Sequence, residues 1–488
     1  MQPKLELLSP ELIGRILDEA FQLLASHGVL VQDAGARRLL TEAGASVDET
    51  TQVARIPEAV VRRALETVPR EFYLYNRAGE PVIRYGGDAV HFDPGSSGVH
   101  VLDPDTLEHR PSQSADLARL VQVAEMLPQY AAQSTAVVCN DVPKTIGDLY
   151  RLYVVLLYSA KPIVTGAFSV PTAHHMFDML AIFAGGREEL AQKPLAVFDV
   201  CPSPPLIWSE FGARNLIDLA RARVPAQMVS MPLAGATAPV TILGSVVQHA
   251  AESLSGIVIH QQACPGAPIV WGGAPAIFDM RHGTTPMGAV ETAMIDIAYA
   301  QVGKYLGLPT HTYLGASDAK VVDAQAGLES GVTALLGALG GVNMISGAGM
   351  LDFLACQSVE KLVVDAEAIG IALRLLEGIQ VHTATLALEF FETIGFKGDF
   401  LKQKPTRQLF PREQYLPSAV LDRSSIRAWE EGGRKDTFAR ARERVRELLA
   451  AYRRPPMAPE QERELRGMIL RLARQAGMDE LPPLPEEG

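Results

Sequence analysis

The sequence predicts an α/β chain organised as a (β/α)8 TIM-type barrel with an N-terminal helical extension and C-terminal helices. Short apolar runs alternate with helix-like segments from about residue 112 to 377, and with a weaker run at 98–102 they can be counted to eight. The pattern is clearest between Leu308 and Val364, where the runs Thr310–Leu314 and Val342–Ile345 flank the helical stretch Ala324–Leu339. Both runs break into small and polar residues at their C-terminal ends, which places those ends on one side of a parallel sheet. Counting strands does not show closure, and a doubly wound sheet fits the same alternation. At 488 residues and 48% apolar content, the chain can bury more core than one average domain requires.

In chain order, Ser9-Pro10-Glu11 opens a helix with Leu12, Ile16, Ala20 and Leu23/Leu24 on one face and Gly28 at its end. Two further amphipathic stretches, 33–43 and 57–68, make residues 1–70 an N-terminal helical bundle. Residues 71–111 are rich in Gly, Asp and aromatic residues and read as a β-rich cap or linker. The barrel core then spans 112–400, with a weaker run at 98–102 as a candidate first strand. The other strands are Thr135–Cys139, Pro162–Thr165, Leu195–Val200, Ala226–Ser230, Pro268–Trp271, Thr310–Tyr313 and Val342–Ile345. Helix-like segments lie between them, and the last crossover is Ser358–Glu377. Residues 401–488 begin as an irregular, proline-bearing segment and continue as charged helices over 425–453 and 459–476. Their interleaved Arg and Glu read as solvated faces laced with i,i+4 pairs.

The net charge of -12 argues against a nucleic-acid partner, since phosphates would meet repulsion. Acidic residues near the N-terminus and the lack of an uninterrupted 18-residue apolar run argue against a membrane partner and for a cytoplasmic protein. Cys139, Cys201, Cys264 and Cys356 are too widely spaced for CxxC pairs and read as reduced residues. With no HExxH motif and no tight His/Cys/Asp cluster, no metal site is expected. Gly347-Ala348-Gly349 lacks the register of a dinucleotide fingerprint, and GASDAK at 315–320 lacks the ending of a phosphate loop.

The segments just beyond the strands supply the candidate site. They carry Trp208 and Glu210 after the run Leu195–Val200, Trp271 at the end of Pro268–Trp271, and His311 and Tyr313 alternating within Thr310–Tyr313. Asp318 follows that strand, and Gly347, Gly349, Asp352 and Phe353 follow the last. A concave aromatic surface with limited carboxylate charge suits an alkylated ammonium ion, because ring faces attract a cation that has no N–H to donate. The expected substrate-binding set is therefore Trp208, Glu210, Trp271, Tyr313 and Phe353. His311, Asp318 and Asp352 are the catalytic candidates. Trp271 and Tyr313 equally fit a reading as packing aromatics, and His311 as a hydrogen-bonded structural residue.

Two stretches, THTYLGASDAKVVDAQAG at 310–327 and NMISGAGMLDFLACQSVEKLVVDAE at 343–367, carry a resemblance. The chain resembles the trimethylamine:corrinoid methyltransferase family, in particular its members lacking pyrrolysine, from the N-terminal helices to about Arg423. The resemblance implies a barrel that delivers a methyl group from an amine to the cobalt of a separate corrinoid protein. No cofactor then resides permanently on this chain, and its partners are the corrinoid protein and a small quaternary amine. The family's pyrrolysine follows the GAGML[DE] element, which lands at or next to Phe353. A phenyl ring cannot form an amine adduct. A quaternary amine needs none, because its nitrogen leaves as a neutral tertiary amine, and glycine betaine methyltransferases are among the non-pyrrolysine relatives.

On that basis Glu210, Asp318 and Asp352 make polar contacts, His311 orients, and Gly347 and Gly349 give the corrin room. Near residue 400, where family members often have histidines, this chain has Lys402, Gln403, Lys404 and Arg407. Their cations would pair with a betaine carboxylate if the segment reaches the mouth. A corrinoid-dependent methyltransferase for a non-amine donor and a noncatalytic barrel that binds quaternary amines or a partner are the alternatives. A homo-oligomer is left open.

Overall fold

The computed structural model describes residues 2–485. Among them, parallel strands and helices alternate: β1 (His91–Pro94), α1 (Ser114–Met126), β2 (Gln133–Ser134), α2 (Gly147–Tyr158), β3 (Ile163–Thr165), α3 (Val170–Ala184), β4 (Ala196–Val200) and α4 (Glu210–Ala222). The series continues with β5 (Ala226–Met228), α5 (Ile242–Ala263), β6 (Ile269–Val270), α6 (Val290–Tyr305), β7 (His311–Thr312), α7 (Ala324–Leu339), β8 (Met344–Ala348) and α8 (Val359–Leu376). Strands β2 to β6 pair in chain order as one parallel sheet, and β7, β8 and β1 form a second. Parallel pairing demands a crossover between neighbours, and the helices supply it. The sheets approach each other at both edges. Trp271 bridges to Thr310, and the Phe92 carbonyl accepts the Ala131 amide at 2.9 Å.

The first strand of the series is His91–Pro94, in register with β8, and not residues 98–102. Segment His100–Leu102 pairs instead with Cys356–Gln357 and with His109–Pro111. Likewise β2 is Gln133–Ser134, earlier than the apolar run 135–139. Both shifts have one cause. Asp93, Gln133 and Ser134 are buried and hydrogen-bonded inside the protein, so these strands lack an apolar signature.

The N-terminal 70 residues are not purely helical. Helices Pro10–Ser26, Ala34–Ala43 and Glu58–Thr67 accompany three short strands, and Val29–Val31 pairs in parallel with Ile207–Trp208 from the loop after β4. All three helices pack on α5. Helix α5 is long and apolar enough to cross a membrane, but 78% of its apolar window is buried within the protein, under the N-terminal helices and the neighbouring α4 and α6.

A hairpin, Phe72–Tyr75 with Pro81–Tyr85, seals the N-terminal end of the strands. Its Leu74, Ile83 and Tyr85 form one apolar cluster with Val164, Val197, Val270 and Met344 from β3, β4, β6 and β8. At the other end of the chain, helix Thr437–Ala451 packs on α8 and α1, and Pro459–Gln475 on α3 and α2. Their charged faces stay outward while Val445, Leu448, Leu465 and Ile469 are buried, as interleaved charges with an apolar stripe require.

Candidate functional site

With the N-terminal end sealed, the strand C-termini form the accessible mouth. Asp199 on β4 is the half-buried carboxylate at its floor. The Gln227 side-chain amide, on β5, donates to Asp199 Oδ1 at 2.7 Å, and the Tyr313 hydroxyl, just past β7, donates to Oδ2 at 2.9 Å. Both partners are held in turn. Tyr85 of the sealing hairpin donates to Gln227 Oε1 at 3.1 Å, and Tyr313, its proton committed to Asp199, accepts from Ser96 Oγ at 3.1 Å. Burial pushes the Asp199 pKa up to about 6, against the opposing pull of the Gln227 and Tyr313 hydrogen bonds and the Arg151 charge.

The same loop after β1 joins this pair to Arg151. Gly95-Ser96-Ser97-Gly98 places Ser96 on Tyr313 and Ser97 on the guanidinium, whose Nη2 donates to Ser97 Oγ at 3.0 Å and to the Thr135 carbonyl. Phe168, half exposed just beyond β3, covers the guanidinium with its ring centroid 5.1 Å away. Opposite this polar side lies an apolar one, where Val229, Ala276, Met287 and Tyr313 cluster with Leu233 and Leu354.

The expected site residues divide. Tyr313 is at the mouth. His311 lies below it, buried, its ring 5.0 Å from that of Tyr313 and set edge-on. Its Nε2 meets Ser346 Oγ at 3.1 Å, and Ser346 donates to Asp93, so His311 carries its proton on Nε2. Burial pushes the His311 pKa down to about 3, which leaves its ring neutral, and raises that of Asp93. Asp318 accepts the amides of Met287 at 2.7 Å and Gly288 at 3.1 Å, so it positions the loop that brings Met287 to the apolar side.

Trp208 and Trp271 are core side chains. Trp208 donates from Nε1 to Ser255 Oγ at 2.8 Å and packs against Gly256, whereas Trp271 donates to the Tyr299 carbonyl at 2.9 Å and packs against Gly303. Both indoles point outward to helices α5 and α6. Glu210 is exposed in the first turn of α4, where a carboxylate complements the helix dipole. Asp352 pairs with Lys320 at 3.0 Å, and the Lys320 ammonium lies 3.9 Å from the centroid of the Phe353 ring.

Phe353 is therefore turned to Lys320, and the neighbouring Leu354 reaches the apolar side of the mouth. Asp352, Phe353 and Leu354 all have positive φ (50°, 56° and 69°), a strained turn that sets this alternation. Gly347 and Gly349 are demanded by packing. A Cβ at Gly347 would come within 2.3 Å of the Leu314 carbonyl oxygen, and one at Gly349 within 2.3 Å of Gln357 Oε1.

The helix that holds most of segment 401–410, Lys404–Glu413, ends beside the last turn of α8. Helix α8 starts where the Ser358 amide donates to the Gly349 carbonyl, and its 18 residues carry the chain about 27 Å away. Arg374 in its last turn then binds the Glu413 carbonyl at 3.0 Å. Sequence reasoning missed Asp199 and Arg151. Their signal was a single acid inside AVFDV and a single charge inside LYRLYVVLLY.

Parallel strands with helical crossovers make this an α/β protein, and the carboxylate, phenol and buried guanidinium gathered at the strand C-termini make those ends the candidate site. The model of the trimethylamine methyltransferase (MTTB) family matches residues 1–478, and the chain belongs to that family: it is a methyltransferase. It is 33% identical over 463 residues to the trimethylamine methyltransferase MttB of Methanosarcina thermophila, covering 93% of this chain and 95% of that protein. It is 29% identical over 478 residues to the glycine betaine methyltransferase of Desulfitobacterium hafniense (strain Y51), covering 97% of this chain and 98% of that protein. A solved structure of the Methanosarcina barkeri monomethylamine methyltransferase (MtmB) aligns with a TM-score of 0.47 at 11% identity, covering 90% and 92% of the two chains.

Proposed function

We propose that this chain moves a methyl group from a quaternary amine of the betaine type to the Co(I) of a separate corrinoid protein, from the mouth of a closed (β/α)8 barrel. Family membership and the glycine betaine methyltransferase relative support the reaction class. The Trp271–Thr310 bridge and the Ala131–Phe92 hydrogen bond support closure of the barrel. The observation that carries the substrate reading is the Asp199–Tyr313 pair. It offers an anion and an aromatic face to a cation, at a floor whose donors are already engaged with one another.

A quaternary nitrogen has no proton to donate, so a site for it needs charge and apolar surface more than acceptors. Asp199 supplies the charge, and the side formed by Val229, Met287 and Leu354 receives methyl groups. The cobalt supplies the electron pair of the new bond to carbon, and the C–N pair departs with the neutral tertiary amine. Because positive charge on nitrogen vanishes as that bond breaks, a carboxylate beside it holds the reactant more firmly than the transition state. Asp199 therefore captures and aims the substrate, while Tyr313 and Gln227 fix its orientation. Leu354 at the pyrrolysine-adjacent position adds no nucleophile, which matches a donor that needs no covalent activation. Asp318 acts through the Met287 loop, and His311 through the packing beneath Tyr313.

Anaerobic spectroscopy of a reduced corrinoid protein with this enzyme and a panel of quaternary and tertiary amines tests the reading. Methylation of the corrinoid by a quaternary amine and not by trimethylamine is the expected result. No methylation by any amine, with a corrinoid protein shown to accept methyl groups from its own enzyme, would refute it.

A further inference from the structure

Arg151 is an unusual residue to find where it is. It is the lone charge in the apolar run from Leu149 to Tyr158, and its side chain is 1% exposed. Among the described residues only Nη2 is satisfied, by Ser97 and the Thr135 carbonyl, while Nε and Nη1 have no hydrogen-bond partner. Among the described residues no carboxylate lies within ion-pair distance of it. Asp148, one turn away on α2, is occupied elsewhere: it accepts the Leu149 amide at 2.9 Å, the Phe168 amide at 2.6 Å and the Thr172 hydroxyl. Asp199 is held by Gln227 and Tyr313. A buried guanidinium with two bare donors leaves desolvation uncompensated, which is tolerable where a ligand anion completes it.

The position of Arg151 identifies that anion. Ser96 and Ser97 are adjacent residues of one loop, and one holds Tyr313 while the other holds Arg151. An anionic floor for a cation and a bare cation for an anion are thus set one residue apart along the same turn. The bare Nε–H and Nη1–H lie on different edges of the guanidinium, so each offers one charge-assisted hydrogen bond to a carboxylate oxygen. Resting on the reading of the mouth as a quaternary-amine site, we propose that Arg151 binds the carboxylate of a zwitterionic substrate and selects betaines over quaternary ammonium ions that lack one. Burial lowers its pKa only to about 10, so it remains cationic at neutral pH.

The test compares glycine betaine with choline, which keeps the trimethylammonium group and replaces carboxylate by hydroxyl. Binding to the full chain is measured by calorimetry without corrinoid protein, and turnover with it. The expected result for Arg151→Gln is a fall in the betaine-to-choline ratio of affinities, and of kcat/KM, of about tenfold or more, carried by KM, with Arg151→Lys recovering part of it. A fall of equal size for both ligands, or no fall, would overturn the proposal. If Arg151→Gln does not fold, Arg151→Lys and Ser97→Ala decide by the same ratio, which must drop in each. The calorimetric ratio keeps the two readings apart. Loss of turnover with every amine counts against the reaction, whereas an unchanged binding ratio counts against Arg151.

Discussion

The two ends of the strand set are built from opposite materials. At the N-terminal end, Leu74 and Ile83 of the hairpin meet Val164, Val197, Val270 and Met344 in a closed apolar cluster. At the C-terminal end, Asp199, Tyr313, Ser96, Ser97 and Arg151 form a chain of polar contacts beside a smaller apolar side. The strands are the same, and only a few residues along each separate the two layers. Tyr85 spans the distance, with its ring in the sealed cluster and its hydroxyl on Gln227, the residue that holds Asp199. One end holds the fold together, and the other spends part of that stability on keeping a carboxylate and a guanidinium out of bulk water.

That division is broken most severely from the sealed end. Leu74 is fully buried, and Leu74→Ala is expected to cost about 2–5 kcal/mol in unfolding free energy, from lost transfer and a residual cavity. Denaturant titration measures it, and kcat/KM per folded molecule should be unchanged. A specific loss of turnover in the folded variant would mean that the hairpin also tunes the mouth through Tyr85.

At the mouth the balance reverses. Asp199→Asn should lower kcat/KM for the quaternary substrate by about 10- to 100-fold, the worth of a charge-assisted contact, mostly through KM. It should leave the unfolding midpoint at neutral pH the same or higher. In the unfolded chain this carboxyl titrates near the ordinary value of about 3.9. The folded value is raised to about 6, so the folded state binds the extra proton, and stability is lost as pH rises between the two. Asparagine removes that loss. A variant that is both inactive and much less stable would show that Asp199 belongs with the structural residues.

The same raised value predicts a pH profile. Below about pH 6 the carboxylate takes up a proton, so kcat/KM should fall about tenfold for each unit of pH below it, while kcat changes little because bound cation holds Asp199 ionised. His311 contributes no limb to this profile, since burial keeps it neutral throughout. A profile flat down to pH 5 would remove Asp199 as the cation's partner.

Legibility in the sequence followed the same division. The helical segments were plain in periodicity, and so were strands such as β3 and β6, which are almost wholly apolar and buried. Strands β1 and β2 were hidden because Asp93, Gln133 and Ser134 are buried polar residues with hydrogen-bond partners inside the protein, Gln133 on the α1 side through the Val121 carbonyl. Asp199 is likewise a polar residue inside an otherwise apolar run, so the linear pattern does not mark it as a site residue. Trp208 and Trp271 drew notice as aromatics near strand ends, yet nothing in a linear sequence tells the side of the strand that faces the mouth from the side that faces a helix. Tyr313 was legible because motif and alternation agreed on it.

The smallest effect sharpens the comparison at a single turn. Phe353 and Leu354 are adjacent, but Phe353 lies under the Lys320 ammonium and Leu354 beside Tyr313 and Met287. Phe353→Leu should therefore cost about 0.5–1 kcal/mol of stability, the worth of an exposed cation–π contact, and leave KM for the amine unchanged. Leu354→Ala should raise KM severalfold by opening the apolar side, with a comparable small loss of stability at this half-buried position. The reverse result, with KM following residue 353, would mean that the strained turn at 352–354 takes another register when substrate is bound. The aromatic position would then return to the mouth.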